Sequence, residues 1–290
     1  MASNEAYELC RKLTAKHGKT YYFSTCFFPK DVQRGVYALY GFVRCPDEMV
    51  DNPPAGSLPE ESLAKFRTET VAALEAGTSE NPILDAFVET VRLCQIPHDL
   101  PLAFLDAMSM DLTRKRYQTF EDLKTYTYGS ASVVGLMMCR IIGMTAEEGL
   151  TPAHDLGLAM QLTNFLRDIG EDWCGRGRVY IPLDDLAAFD YSIDDLASGV
   201  VNDNFRRLMA FQIERARKFY ESADRGMRYI PANRRLPVRL ARVLYSRILD
   251  KIEENDYDVF HKRASTSYRE KVMTAVREVS RPFSVSARSG

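Results

Sequence analysis

At 290 residues, with 46% apolar side chains and a formal net charge of −2, the chain can build a sizeable core and lacks the basic excess that marks a nucleic-acid binder. Its start, MASNEAYELC, has neither the basic opening nor the apolar core of a secretory signal, and its longest apolar stretch, about residues 131–144, is interrupted by Arg140 and too short for a bilayer of roughly 30 Å. The six cysteines (Cys10, Cys26, Cys45, Cys94, Cys139, Cys174) show no CxxC or Cys/His spacing, which points to reduced thiols in a cytoplasmic protein rather than to disulfides or zinc.

Apolar residues recur at three- and four-residue spacing through almost every segment, and alternating runs are scarce, so the chain reads as all-α. In chain order the predicted helices cover about 4–16, 30–52, 60–76, 81–94, 100–114, 119–142, 146–172, 203–229, 236–255 and 268–276. Breaks fall at Gly18, at Pro53 and Pro54, at Pro97, across 175–182 and at Pro231. Asn81 before Pro82 has the form of an N-cap followed by proline at the first helical position. No linker, charge block or repeat divides the chain, and residues 1–290 are read as one domain.

Two aspartate pairs carry the chemistry. On the helix near 146–172, Gln161, Asn164, Asp168 and Asp172 fall within roughly 60° of one another, beside an apolar stripe of Leu158, Leu162, Phe165 and Ile169. On the helix near 30–52, Tyr40, Arg44, Asp47 and Asp51 repeat the design. Amides and carboxylates set among apolar neighbours suggest the lining of an internal cavity, where each polar group needs a partner. Hard oxygen ligands in this number suit Mg²⁺ rather than zinc or copper. A DxxxD spacing alone means little: Asp190 and Asp194 match it in the turn-like FDYSIDD and are expected to be a solvated loop. The basic residues Arg44, Arg167, Arg176, Arg178 and Lys19 near these motifs point to an anionic substrate, since guanidinium forks match phosphate oxygens. Arg176 by itself is expected to be a surface ion pair, and Arg178, beside the apolar VYIP, a ligand. In YTYGSASVVGLMM, Tyr128, Ser132, Gly135 and Cys139 share one face, which would aim Tyr128 into a cavity where its ring could stabilise cationic carbon.

On HGKTYYFSTCFFP, YALYGFVRCPDEMVD, YTYGSASVVGLM, QLTNFLRDIGEDWCGRGRVYIP and YSRILDKIEENDYDVFHKRA, the chain resembles the squalene and phytoene synthase family from about His17 to Arg263. The second aspartate motif is most similar to the phytoene synthase form. The resemblance implies an all-α isoprenoid synthase fold around a central cavity, with diphosphates bound through Mg²⁺, or Mn²⁺ in its place. It implies Asp47, Asp51, Asp168 and Asp172 as catalytic metal ligands, with Asn164 a further oxygen ligand and Tyr128 catalytic. Lys19, Arg44, Arg167, Arg178 and Tyr257 would contact diphosphate, and His17, Tyr40, Gln161 and Asn164 would line the substrate site. Two allylic prenyl diphosphates would condense head to head through a cyclopropylcarbinyl diphosphate. Two geranylgeranyl diphosphates would give phytoene by proton loss; the alternative is squalene or dehydrosqualene from farnesyl diphosphate, with NADPH needed for squalene.

Three departures stand out. Pro46 precedes Asp47 and is expected to kink its helix. One extra residue between Asp172 and Arg178 leaves Arg176 and Arg178 as competing equivalents. Ser132 replaces a usual glycine and would narrow the cavity. From another class, a non-catalytic helical lipid-binding or assembly protein would be expected to have lost metal-site carboxylates, and all four are present. A chain that releases so oily a product is expected to touch a membrane surface, although no basic amphipathic helix stands out in the sequence.

Overall fold

The structure is a computed structural model that describes residues 2–280. Helices α1 (Asn4–His17), α2 (Lys19–Thr25), α3 (Lys30–Asp51), α4 (Pro59–Ala76), α5 (Pro82–Cys94) and α6 (Asp99–Thr113) form the first part of the bundle. Then come α7 (Phe120–Thr127), a π-helical segment (Tyr128–Ser132), α8 (Val133–Ile141), α9 (Leu150–Arg167), α10 (Ile169–Arg176), α11 (Leu183–Ala188), α12 (Ile193–Ala197), α13 (Asp203–Gly226), α14 (Ala232–Glu254) and α15 (Tyr268–Ser280). No strand occurs among the described residues; a single parallel bridge joins Arg116 to Val179.

Local chemistry sets these boundaries. Asn81 caps α5 by accepting from the Ile83 amide at 3.0 Å, with Pro82 opening the helix. Thr119 and Asp122 close a capping box at α7, and Asn202 caps α13 through the Phe205 amide at 2.9 Å. Gly177 ends α10 in the left-handed region, φ 63°. Gly18 ends α1 as expected, but α2 begins at once, an element that the β-branched and aromatic KTYYFST conceals. The short α11 and α12 are likewise additions, and Asp194 lies exposed in the first turn of α12 while Asp190 is exposed in a left-handed turn.

Two expectations about long helices change. The predicted 146–172 helix is two, α9 and α10, because the backbone bends at Asp168. The bend is shallow: the Asp168 amide still donates to the Asn164 carbonyl at 2.9 Å and the Asp172 amide to the Asp168 carbonyl at 2.8 Å, so the polar stripe keeps its facing. The predicted 119–142 helix contains the π turn at Tyr128–Ser132, which inserts a wide turn and shifts the register of everything after it. The predicted 30–52 helix stands as α3, which runs helical to Asp51 with Pro46 buried inside it.

α9 is the central element. It packs against α13, α14, α8 and the π segment, with the Thr163 and Tyr220 hydroxyls hydrogen-bonded at 2.8 Å across the α9–α13 contact. The core beyond it is strongly aromatic: Phe42 and Phe87 stack at 3.9 Å, and Phe165 and Tyr180 at 4.0 Å. Glycine allows the closest approach. A Cβ on Gly157 would lie 2.7 Å from the Ala131 carbonyl oxygen, whereas one on Gly175 would meet nothing within 4 Å. Gly157→Ala is therefore expected to destabilise by about 1–3 kcal/mol, since backbone must move to admit the methyl. Gly175→Ala is expected to be neutral or slightly stabilising. Denaturant unfolding of the two variants checks the contrast.

Candidate active site

The charged cluster forms where the end of α3 meets α10 and the extended segment after it. The Val179 amide donates to the Lys115 carbonyl at 2.9 Å, which fixes that segment against residues 115–118 and turns Arg178 into the interior. Asp51 accepts from Arg178 Nη1 at 2.8 Å, and Arg176 Nε lies 3.0 Å from the same oxygen without hydrogen-bond alignment. Arg176 Nη1 also donates to Asp172 at 3.0 Å, so one guanidinium spans both aspartate pairs. Arg176 is thus an interhelical bridge and not the surface ion pair expected of it; the glycines on either side of it hid its direction. Both arginines that competed for equivalence engage Asp51.

Arg178 is buried, and its Nη2 donates to the Asp111 carbonyl at 3.2 Å. The Asp111 carboxylate accepts from the hydroxyls of Tyr126 at 2.6 Å and Tyr180 at 3.1 Å. Burial pushes its carboxyl up, with Arg178 and the two hydroxyls pulling the other way. At the far end Asp168 accepts a two-point pair from Arg167, one arm at 2.8 Å, and a contact from Arg263 at 2.9 Å. At the near end Arg44 donates to Asp47 at 2.5 Å and also pairs with Glu48, to which His17 Nδ1 comes within 3.7 Å. Lys19 is exposed at the start of α2 beside buried Lys271, and neither makes an ion pair with a described residue.

The four aspartates do not close on a single point. No three His, Cys, Asp or Glu side chains among the described residues converge tightly enough to chelate an ion as they stand, and the arginines satisfy them instead. The donor set nevertheless fits a hard divalent cation. Asp47 keeps 37% of its side-chain surface, but its carboxyl is crowded by protein atoms; desolvation pushes it up to about 6, opposed by Arg44 and aided by Asp51. Burial, then the neighbouring Asp168, pushes Asp172 up to about 7 against the pull of Arg176. Carboxylates whose charged form is disfavoured by burial and by like charge are those that an added cation stabilises most.

A cavity of about 280 Å³ opens beside this cluster. Tyr40, Ser130, Gln161, Asn164 and Tyr245 lie near the charged end, Tyr21, Ser24 and Thr25 add hydroxyls from α2, and the rest of its wall is apolar. Along α9 the lining runs from Asn164 back to Pro152, roughly 18 Å at about 1.5 Å per residue. A smaller space of about 160 Å³, bordered by Tyr40, Arg44, Asp47 and Gln161, connects Asp47 to it through the shared walls of Tyr40, Val43, Ser130 and Gln161.

One expected site tyrosine lies elsewhere. Tyr128 is 45% exposed and stands against His154. The π turn directs Ser130 and Ala131 to the cavity in its place, and Ser132 is fully buried off the lining, so it does not narrow it. Tyr257 sits in a left-handed turn after α14, in the loop whose residues 259–260 pack on Gly170 of α10 and whose Arg263 reaches Asp168. The tyrosine that reaches the Arg167–Asp168 pair electrostatically is Tyr245, which lines the cavity from α14. Tyr245, Arg263 and Asp111 were missed because each lies far in sequence from the charged groups it meets; only the tertiary fold brings them in.

The profile of the family described as Squalene/phytoene synthase matches residues 14–270. The chain belongs to the squalene/phytoene synthase family. It is 42% identical to a phytoene synthase of Arthrospira platensis, covering 93% of this chain and 91% of that one. It is 41% identical to a 15-cis-phytoene synthase of Synechocystis sp., covering 90% and 80%. Among solved structures, a dehydrosqualene synthase in complex with ligand superposes with a TM-score of 0.87 at 24% identity, over 95% of this chain and 96% of that one, which speaks to the fold alone. A squalene synthase from Alicyclobacillus acidocaldarius gives a TM-score of 0.79 at 28% identity, over 88% and 95%.

Because Arg176 holds two partly buried carboxylates from different helices, Arg176→Gln is expected to cost about 1–3 kcal/mol of stability. A change within about 0.5 kcal/mol in denaturant unfolding would instead match an ordinary surface residue.

Proposed function

We propose that this member of the family condenses two geranylgeranyl diphosphates head to head, through a cyclopropylcarbinyl diphosphate, to phytoene with release of diphosphate. The observation that supports this most directly is the continuity of the arginine and aspartate cluster with a long apolar cavity: one end suits a diphosphate and the other an isoprenoid tail. The choice of phytoene over squalene follows from the relatives at 41–42% identity being phytoene synthases.

Arg44, Arg167, Arg178 and Lys19, joined by Arg176 and Arg263, supply the fixed and mobile N–H donors for diphosphate oxygens. Their carboxylate partners hold the guanidiniums in place before substrate arrives, so little reorganisation is needed as charge develops on the leaving group. Mg²⁺, or Mn²⁺ of the same hard-ligand class, would be held by Asp47, Asp51, Asp168 and Asp172 with Asn164, and would add positive charge at the departing diphosphate. The apolar wall of α8, α9 and α14 keeps water from the carbocation. Tyr40 and Tyr245 place aromatic faces at the mouth, where cationic carbon forms. His17, Gln161 and Asn164 complete the polar rim.

Purified protein given geranylgeranyl diphosphate and Mg²⁺ without NADPH is expected to yield phytoene by mass spectrometry. Preferential turnover of farnesyl diphosphate, with NADPH incorporated into squalene, would replace this reading with the squalene one. Asp51→Ala and Asp168→Ala are expected to lower kcat on the order of 10²–10³-fold, and full Mg²⁺-dependent turnover in either would remove these residues from the mechanism. Tyr245→Phe and Tyr257→Phe are each expected to slow turnover, measured side by side with the wild-type protein.

A further inference from the structure

α15 leaves a broad apolar stripe uncovered. Tyr268 is 76% exposed, Met273 61%, Val276 66% and Val279 61%, and Val272 is exposed as well. At about 100° per residue, Tyr268, Val272, Val276 and Val279 fall within about 80° of one another. The buried side of α15 carries Lys271, Ala275 and Glu278, and Ala275, at the edge of the stripe, packs on Leu240 and Leu244 of α14. The stripe continues onto α2: Tyr268 meets the Phe23 ring at 6.2 Å, and Phe23 meets exposed Phe27 at 5.6 Å. A contiguous patch of this kind marks an interaction surface.

Charge decides what covers it. The two acids of α15 are committed inward, Glu270 to Lys251 at 2.8 Å and Glu278 to Arg239 at 2.7 Å. Its exposed arginines, Arg269 and Arg277, make no ion pair with any described residue. The patch therefore presents apolar and cationic groups with no free acid on the same helix. A second copy docked by two-fold symmetry would set this stripe, with its arginines, against itself and would leave them without acidic partners. An anionic lipid surface satisfies both features, with valines and aromatics in the acyl boundary and arginines among the headgroups.

We infer that α15 and the aromatic end of α2 form the face by which this protein docks onto an anionic bilayer. That face lies one helix layer from the cavity, because α2 turns Tyr21, Ser24 and Thr25 into it and α14 adds Pro237, Val238 and Ala241. The use of such a contact, delivery of an oily product to lipid, rests on the proposed reaction; the contact itself does not.

Flotation of the full chain with vesicles tests it. Wild-type protein is expected to float with vesicles containing phosphatidylglycerol and far less with phosphatidylcholine alone. Val272→Ser/Met273→Ser/Val276→Ser is expected to abolish flotation, and Arg269→Glu/Arg277→Glu to reduce it by roughly tenfold or more. Leu93→Ser, at another exposed apolar position, is expected to float like wild type. Absence of wild-type flotation, undiminished flotation of both α15 variants, or a wild-type dimer dissociated by the triple serine variant would overturn the inference. So would loss of binding on removal of residues 281–290 alone. In detergent micelles the α15 variants are expected to turn over geranylgeranyl diphosphate at the wild-type rate. A wild-type protein that floats but has no turnover would overturn the proposed reaction and leave the docking face standing.

Discussion

The pairing of Asp51 with two arginines at the C-terminal end of α10 is the interaction on which the charged end of this molecule depends. Asp51 is the last residue of α3, and Arg176 and Arg178 flank the left-handed Gly177. Without the reversal at Gly177 the two guanidiniums could not converge on one carboxylate. Arg178 extends the tie to Asp111 and thence to Tyr126 and Tyr180, so the mouth of the cavity and the aromatic core beneath it share one hydrogen-bonded frame. Partly buried charge pairs of this sort contribute modest net stability, but removing one partner is costly. They serve to hold donors where a diphosphate would need them.

The same frame explains why the wall of the cavity is smooth and apolar while its rim is not. α9 contributes both: Pro152, Ala153, Leu156, Gly157 and Met160 face the cavity as small or apolar groups, and Gln161 and Asn164 begin the polar stripe that ends at Asp172. A single helix thus grades from hydrocarbon-compatible to phosphate-compatible along its length. The bend at Asp168 leaves this gradient intact because the hydrogen bonds on either side of it persist.

Much of this was legible in the sequence, and the limits have physical causes. The all-α character, most helix spans, the caps at Asn81 and Gly18 and the polar stripe on α9 follow from periodicity and local chemistry, which are short-range. The solvated Asp190 and Asp194 were told apart from the two functional pairs by their neighbours, since an isolated spacing does not reveal burial. Tyr245 was not legible, because its partners Arg167 and Asp168 lie far away in sequence and only helix packing unites them. Arg176 was misread because glycine neighbours look like loop. Tyr128 was misread because a wheel drawn at the α-helical angle has no way to register a wider turn.

That wider turn at Tyr128–Ser132 separates two jobs that a regular helix would lock together. Upstream, α7 keeps Tyr126 against Asp111 in the hydrogen-bonded frame; downstream, α8 lays Val134, Gly135 and Met138 along the cavity. With a continuous α-helix, rotating one end would rotate the other by the same angle. The π turn acts as a phase shifter between them, so the side chains that could set how much hydrocarbon fits can vary without disturbing the scaffold that grips charge.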